Sequence, residues 1–196
     1  MIARIVSAVV LVALSAAAGS AQTVTREALT DAVTRSINGY SRFTIFDDIS
    51  VQVDEGAVTL RGKVTMPFKR SDLGERVALI EGVRAVRNEI EVLPVSIHDE
   101  TLRRKIARAI YGNPAFWRYA AMPNPPIHIV VENGRVTLTG VVPTEVDRAL
   151  ARSLATGQGE FAVVSSLRTD AEARLERDVI KGAEGGSLKR VDATMR

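Results

Sequence analysis

The sequence predicts an α+β protein made of two tandem αββαβ units, each a three-stranded mixed sheet with two helices packed on one face. Three observations lead there. First, residues 49–64, ISVQVDEGAVTLRGKV, recur at 127–142 as IHIVVENGRVTLTGVV. Position by position, Ile49/Ile127, Val53/Val131, Gly56/Gly134, Val58/Val136, Thr59/Thr137, Leu60/Leu138, Gly62/Gly140 and Val64/Val142 match at a constant spacing. Internal repetition of this kind sets the number of structural units. Second, each repeat is preceded by apolar residues at i, i+4 and i+8: Leu29, Val33 and Ile37, then Leu102, Ile106 and Ile110. That period makes one face of a helix. Third, each repeat is followed by a second helical pattern and a last β-like run, so each sheet can bury its helices' apolar stripes on one face.

Each element has its own warrant. Residues 1–21 read as a secretory signal peptide: Arg4 supplies a positive start, residues 5–18 are apolar and small, and Gly19-Ser20-Ala21 suits cleavage. The apolar run is short and rich in Ala and Ser for a membrane span, and the competing reading is an uncleaved N-terminal anchor. In the first unit, residues 25–95, the helix over Leu29–Ile37 runs on to Gly39 and Phe43. Alternating Val51, Val53, Val58, Leu60 and Val64 make two strands, and Asp54-Glu55-Gly56 makes the turn. Gly62 interrupts the second strand, which suggests a bulge or a close backbone approach. Met66-Pro67-Phe68-Lys69-Arg70 reads as a helix entry, with Pro in the first turn and Phe68 capping the core. The other reading of it is a membrane-touching corner. Pro67–Glu81 follows as a helix with Leu73, Val77 and Ile80 inward and Gly82 as its stop; Arg84–Ile90 is the last strand.

Leu93-Pro94-Val95-Ser96 joins the units and is short enough to put them in fixed contact. The second unit, residues 97–169, repeats the plan: a helix over Asp99–Tyr111, Phe116 in the place of Phe43, the turn Glu132-Asn133-Gly134, Gly140 inside a strand, a helix over Pro143–Ala155 with Val146, Leu150 and Leu154 inward, and a strand over Phe161–Leu167. Asn133-Gly134 is a strong hairpin signal. In residues 170–196, Ala171, Leu175 and Val179 predict a short helix that docks by its apolar face, and a disordered tail follows.

This unit resembles the BON domain, a small lipid-associated module of bacterial envelope proteins. The residues that carry the resemblance are Gly56-x-Val58-x-Leu60-x-Gly62-x-Val64, then Gly82-Val83-x-x-Val86-x-Asn88-x-Ile90. The second copy keeps Gly134-x-Val136-x-Leu138-x-Gly140-x-Val142. It then departs, with Glu160 in the place of Val83 and Ser165 in the place of Asn88, so a shorter last strand or a different register is expected there. The resemblance implies a periplasmic module that binds phospholipid and supports the envelope under stress. Exported tandem BON proteins also resemble a class of soluble periplasmic chaperones, and a third reading is an interaction module with an envelope protein partner.

The candidate contact surface comes from the residues themselves. With Leu102 at zero and about 100° per residue, Ile106 and Ile110 fall near 40° and 80°. Arg104, Arg108 and Tyr111 fall opposite the core, and Arg103 and Lys105 sit on the flanks. The segment Phe116-Trp117-Arg118-Tyr119-Ala120-Ala121-Met122 lies where the second unit is longer, and it holds the single Trp. Trp and Tyr favour a membrane–water boundary. Arg104, Arg108, Tyr111, Trp117, Arg118 and Tyr119 are therefore the candidate contacts for an anionic phospholipid surface, peripheral and reversible. A loop folded over the interface between the units, and a merely solvated helix face, are the competing readings.

No catalytic constellation, metal site or cofactor is expected. His98 and His128 have no neighbour at ligand or triad spacing, and the acids Asp47-Asp48 and Asp54-Glu55 read as solvated turn residues. The chain has no Cys, hence no disulfide, no thiolate metal site and no lipid attached through one. Its net charge of +3 drops to +2 without residues 1–21, since only Arg4 is lost. So slight an excess does not argue for nucleic acid, and export argues against it.

Overall fold

The computed structural model describes residues 25–179, so the signal-peptide reading of residues 1–21 and the expected tail beyond 179 lie outside the described residues. The first unit consists of α1 (Arg26–Asn38), β1 (Asp48–Asp54), β2 (Ala57–Val64), α2 (Pro67–Ala78) and β3 (Ala85–Val92). The second consists of α3 (Ile97–Tyr111), the short α4 (Trp117–Ala120), β4 (Ile127–Glu132), β5 (Arg135–Val142), α5 (Glu145–Ala155) and β6 (Ala162–Thr169). The sheets run β1-β2-β3 and β4-β5-β6, antiparallel at the hairpin and parallel to the last strand. Both units are thus αββαβ with mixed sheets.

Local chemistry explains the element ends. Thr25, Ser96 and Thr144 each accept a backbone N–H three residues on, from Ala28, Asp99 and Asp147. Such caps satisfy amides that a helix start leaves without partners. The hairpin turns put Glu55 and Gly56 at φ 46° and 84°, and Asn133 and Gly134 at 51° and 71°, as a two-residue turn of the primed type requires. Gly62 and Gly140 realise the close approach. A Cβ on either would collide with the carbonyl oxygen of Asp48 or Pro126 in the neighbouring strand's lead-in.

The last strand of the second unit is neither shorter nor shifted. β2 pairs with β3 from Ala57↔Ala85 to Val64↔Val92, and β5 with β6 from Arg135↔Ala162 to Val142↔Thr169. The register is set by the backbone: Arg84 N–H donates to Gly56 C=O and Phe161 N–H to Gly134 C=O, both at 2.8 Å. The side chains at 83/160 and 88/165 have no part in those bonds.

Each unit has its own core. Leu29, Val33, Val58, Leu60, Leu73 and Ile90 centre the first; Leu102, Ile106, Phe116, Ile129, Leu138 and Leu167 centre the second. Phe68 does not cap the first core: it is 43 % exposed, whereas its neighbour Lys69 is buried. In α5, Ala151 and Ala155 face the sheet, Leu150 and Leu154 are half-buried, and Val146 stands in solvent. The alanines form the wholly buried face of the helix, and Leu150 and Leu154 pack against the core from its flank.

The units touch along a seam. Ile45 and Phe46, just before β1, pack against the second core. Ile129 N–H donates to Ile45 C=O at 2.6 Å, His128 Nδ1 lies 2.6 Å from Asp47 O, and the Lys63 ammonium meets Glu132 at 2.5 Å. After β6 the chain is helical over 170–179. Its apolar face is not what holds it, since Leu175 and Val179 are exposed. Glu172 pairs with Arg148 at 2.9 Å and Glu176 with Arg168.

Candidate membrane-contact surface

α3 is pinned from below by two ionic side chains. The Asp99 carboxylate is fully buried and accepts the turn amides of Asn133 and Gly134 at 2.9 and 2.8 Å. One turn on, the buried Arg103 guanidinium donates to Val131 C=O at 2.7 Å and approaches Glu100 at 3.4 Å. The helix is thereby fixed to the β4–β5 hairpin at its start, and its outer face is left free. Arg103, expected on a flank, is instead part of the packing. The signal for this pair was its spacing: an acid three residues after the capping Ser, then an arginine one turn later.

On the outer face Arg104, Lys105 and Arg108 are exposed, as the helical period predicts. Arg104 makes a loose pair with Glu100 at 3.6 Å, one turn back. Such an exposed pair contributes little to stability and leaves the charge available. Arg108 lies in the last turn, where a cation complements the helix dipole.

The aromatics divide in two. Trp117 is 73 % exposed, and Arg118 beside it is exposed too. Tyr119 is buried, however. Its ring stacks 6.2 Å from Phe116, which is wholly buried, and the Arg118 guanidinium lies over it at 4.8 Å and donates to its hydroxyl at 2.9 Å. Phe116 and Tyr119, three residues apart, clip this short turn onto the core and turn Trp117 outward. Tyr111 is not an exposed anchor either. It is half-buried, its hydroxyl donates to Ile127 C=O, and burial pushes its pKa up. The wheel places it opposite the core, but it stands on the last turn, where β4 begins, and its long side chain reaches that strand. Tyr119 is thus a core residue, and Tyr111 is tied to β4 by its hydroxyl and only partly open to solvent.

A second exposed apolar spot lies at the entry to α2, where Met66 is 50 % exposed and Arg42 sits over the Phe68 ring at 5.1 Å. Beneath it is a buried ion pair that periodicity missed. The carboxylate of Asp47 accepts from the amides and hydroxyls of Thr44 and Thr65, at 2.8–2.9 Å, and from Lys69 at 2.6 Å. Asp47 is therefore no solvated turn acid. Its side chain is saturated by structural partners, which suits bracing rather than proton transfer. Among the described residues no group of three or more His, Asp or Glu is placed to hold a metal ion, and no helix is long and apolar enough to cross a membrane.

The chain is thus two small α+β units in tandem, with braced helices, exposed cations and an outward Trp on the second. The comparison with protein families is direct: the model of the BON domain matches residues 25–94 and 98–181, and the chain belongs to the BON-domain family. BON domains are non-catalytic modules that bind phospholipid membranes or associate with the cell envelope. Among solved structures, the chain is similar to CdsD, a structural protein of the type III secretion system of Chlamydia trachomatis. Identity is 13 %, over 70 % of this chain and 92 % of that one, with a TM-score of 0.26. For the C-terminal domain of CdsD the identity is 14 %, over 69 % and 96 %, with a TM-score of 0.24. Likeness at that level carries nothing further to this chain. No curated protein matches.

Proposed function

We propose that this is a non-enzymatic periplasmic protein that binds anionic phospholipid surfaces reversibly and so contributes to envelope integrity under stress. The observation that carries the reading is Trp117: a large apolar ring held 73 % exposed by a turn whose neighbours are locked into the core. Next to it stands exposed Arg118, and the helix leading to it exposes Arg104, Lys105 and Arg108. Each cation near an anionic surface contributes roughly 1 kcal/mol, and the indole adds shallow insertion. The signal-like residues 1–21 support the periplasm as the location. With no Cys to carry a lipid, binding rests on these side chains and weakens with salt.

Co-flotation with liposomes tests this. The wild-type protein should float with vesicles containing anionic lipid and stay down with neutral ones. Trp117→Ala and the double variant Arg104→Glu/Arg108→Glu should both stay down. Tyr119→Phe keeps the ring against Phe116 and should float like wild type. Failure of the wild type to float at low salt would overturn the reading.

A further inference from the structure

β1 and β4 lie toward the seam between the units, so the outer edges of the two sheets are β3 and β6. Each pairs with a single neighbour among the described residues. An unpaired edge offers its N–H and C=O groups to any other strand, and charged side chains are a common guard against that. β3 has the guard. Arg87, Glu89 and Glu91 are exposed on it, and Glu89 is tied to Arg61 at 2.7 Å and Glu91 to Lys63 at 3.3 Å. β6 lacks it. From Phe161 to Leu167 there is no charge. Phe161 is exposed, Val164 is 54 % exposed, and Ser166 is exposed too.

The ladder fixes which groups face outward. Phe161 N–H donates to Gly134 C=O, so the odd-numbered residues of β6 turn their backbone groups to β5. These directions alternate along a strand. Ala162, Val164, Ser166 and Arg168 therefore turn their N–H and C=O groups to the open edge. α5 does not roof that edge. A groove of about 490 Å³ lies between Ser165 and the side of α5 that carries Ala149, Arg152 and Thr156.

Charge indicates the occupant. Glu160 and Arg168 bound the neutral run and stand equally far along the chain from Val164. Pair β6 antiparallel with a second copy of itself about Val164, and Ala162 faces Ser166 while Glu160 faces Arg168, twice by symmetry. A two-fold interface is self-complementary in this way. A shift of one pleat sets Glu160 against Ser166 or against the acid Asp170 instead. Within its own chain Glu160 accepts the amides of Gly157 and Gln158, and Arg168 meets Glu176, which holds each at its end of the strand. The same register sets the copy's Val163 opposite Ser165, on the groove side of the sheet.

We propose that β6 is a self-association edge, through which two copies of this chain join antiparallel about Val164 into one continuous sheet. Backbone bonds supply the attraction, and the flanking charges select the register. β6 is at the opposite edge of its sheet from β4, on which α3 packs, so the proposal stands or falls independently of lipid binding.

The test uses the protein from Gln22 onward, because the apolar run in residues 5–18 would itself drive association. Sedimentation equilibrium should show a reversible monomer–dimer equilibrium in the micromolar range. Val164→Lys sets two ammonium groups against each other on the axis and should raise the dissociation constant about ten-fold or more. Glu160→Arg and Arg168→Glu should each weaken the dimer, and an equimolar mixture of the two should restore it, since both facing pairs are then opposite in charge again. In the wild type, raising the concentration should slow hydrogen exchange at the amides of Ala162, Val164 and Ser166 by about ten-fold, with β3 and α3 unchanged. A wild type that stays monomeric up to millimolar concentration, protection elsewhere in place of β6, a folded Val164→Lys protein that dimerises like wild type, or no rescue on mixing folded charge variants would each overturn the proposal. Should circular dichroism show that the variants do not fold, the wild-type mass and exchange pattern decide alone.

Discussion

The two units share a frame and differ in what fills it. In the first, Asn88 on β3 reaches under α2, donates to Arg70 C=O at 2.7 Å and lies against Gly74. In the second, the equivalent Ser165 is too short; its buried hydroxyl has no partner and a groove of about 490 Å³ opens beside Arg148 and Arg152. At the hairpin tips, the Arg84 stem lies over Gly56 and the Phe161 ring over Gly134. The first unit is braced by the buried Asp47–Lys69 pair, the second by Asp99 and Arg103. The repeat therefore preserves strand register and apolar layers, whereas the buried polar devices were solved separately in each copy. Backbone pairing and apolar burial tolerate many side chains. A buried charge needs a particular partner at a particular distance.

The comparison can be broken most forcefully at the matched phenylalanines. Phe116 is wholly buried and Phe43 only half-buried against its core. Phe116→Ala should cost about 4 kcal/mol in urea unfolding and Phe43→Ala about half of that, since the penalty follows the buried volume removed. Lys69→Ala comes next. It leaves a buried carboxylate without its cation and should cost about 3 kcal/mol; Lys105→Ala, on the exposed face, should cost no more than about 0.5 kcal/mol.

Smaller changes sharpen the contrast. Ser165→Asn should give the second unit the first unit's bond and fill part of the groove. An added buried hydrogen bond predicts a gain of about 1 kcal/mol in thermal unfolding. A loss there would show that Arg152, on the helix above, already claims the space. Smallest is a pH effect at Glu160, which stands in the place of Val83. Its carboxylate accepts the amides of Gly157 and Gln158 at 2.7 Å, and these backbone bonds hold its pKa below the ordinary 4.5. A lowered folded-state pKa means that its stabilisation is fully present above pH 4.5 and is lost as pH falls through the lower folded value. Glu160→Gln should thus lower the melting temperature slightly at neutral pH, and the difference from wild type should vanish in acid.

The sequence by itself determined the two αββαβ units, the strand pairs and their turns, the helix caps and most of both cores. These follow from local periods and from glycines that alone fit their backbone positions, and such signals are complete within a few residues. The exposed Arg104 and Arg108 were legible in the same way. Only the tertiary structure decided which polar groups go inside. Asp47 meets Thr65 and Lys69, Asp99 meets the turn at Asn133, and Tyr111 meets the carbonyl of Ile127. It also made Ala151 and Ala155 the wholly buried face of α5 and buried Tyr119 beside an exposed Trp117. The partners in each polar pair are 16–34 residues apart. Whether they meet depends on how elements stack in space, which no period along the chain encodes.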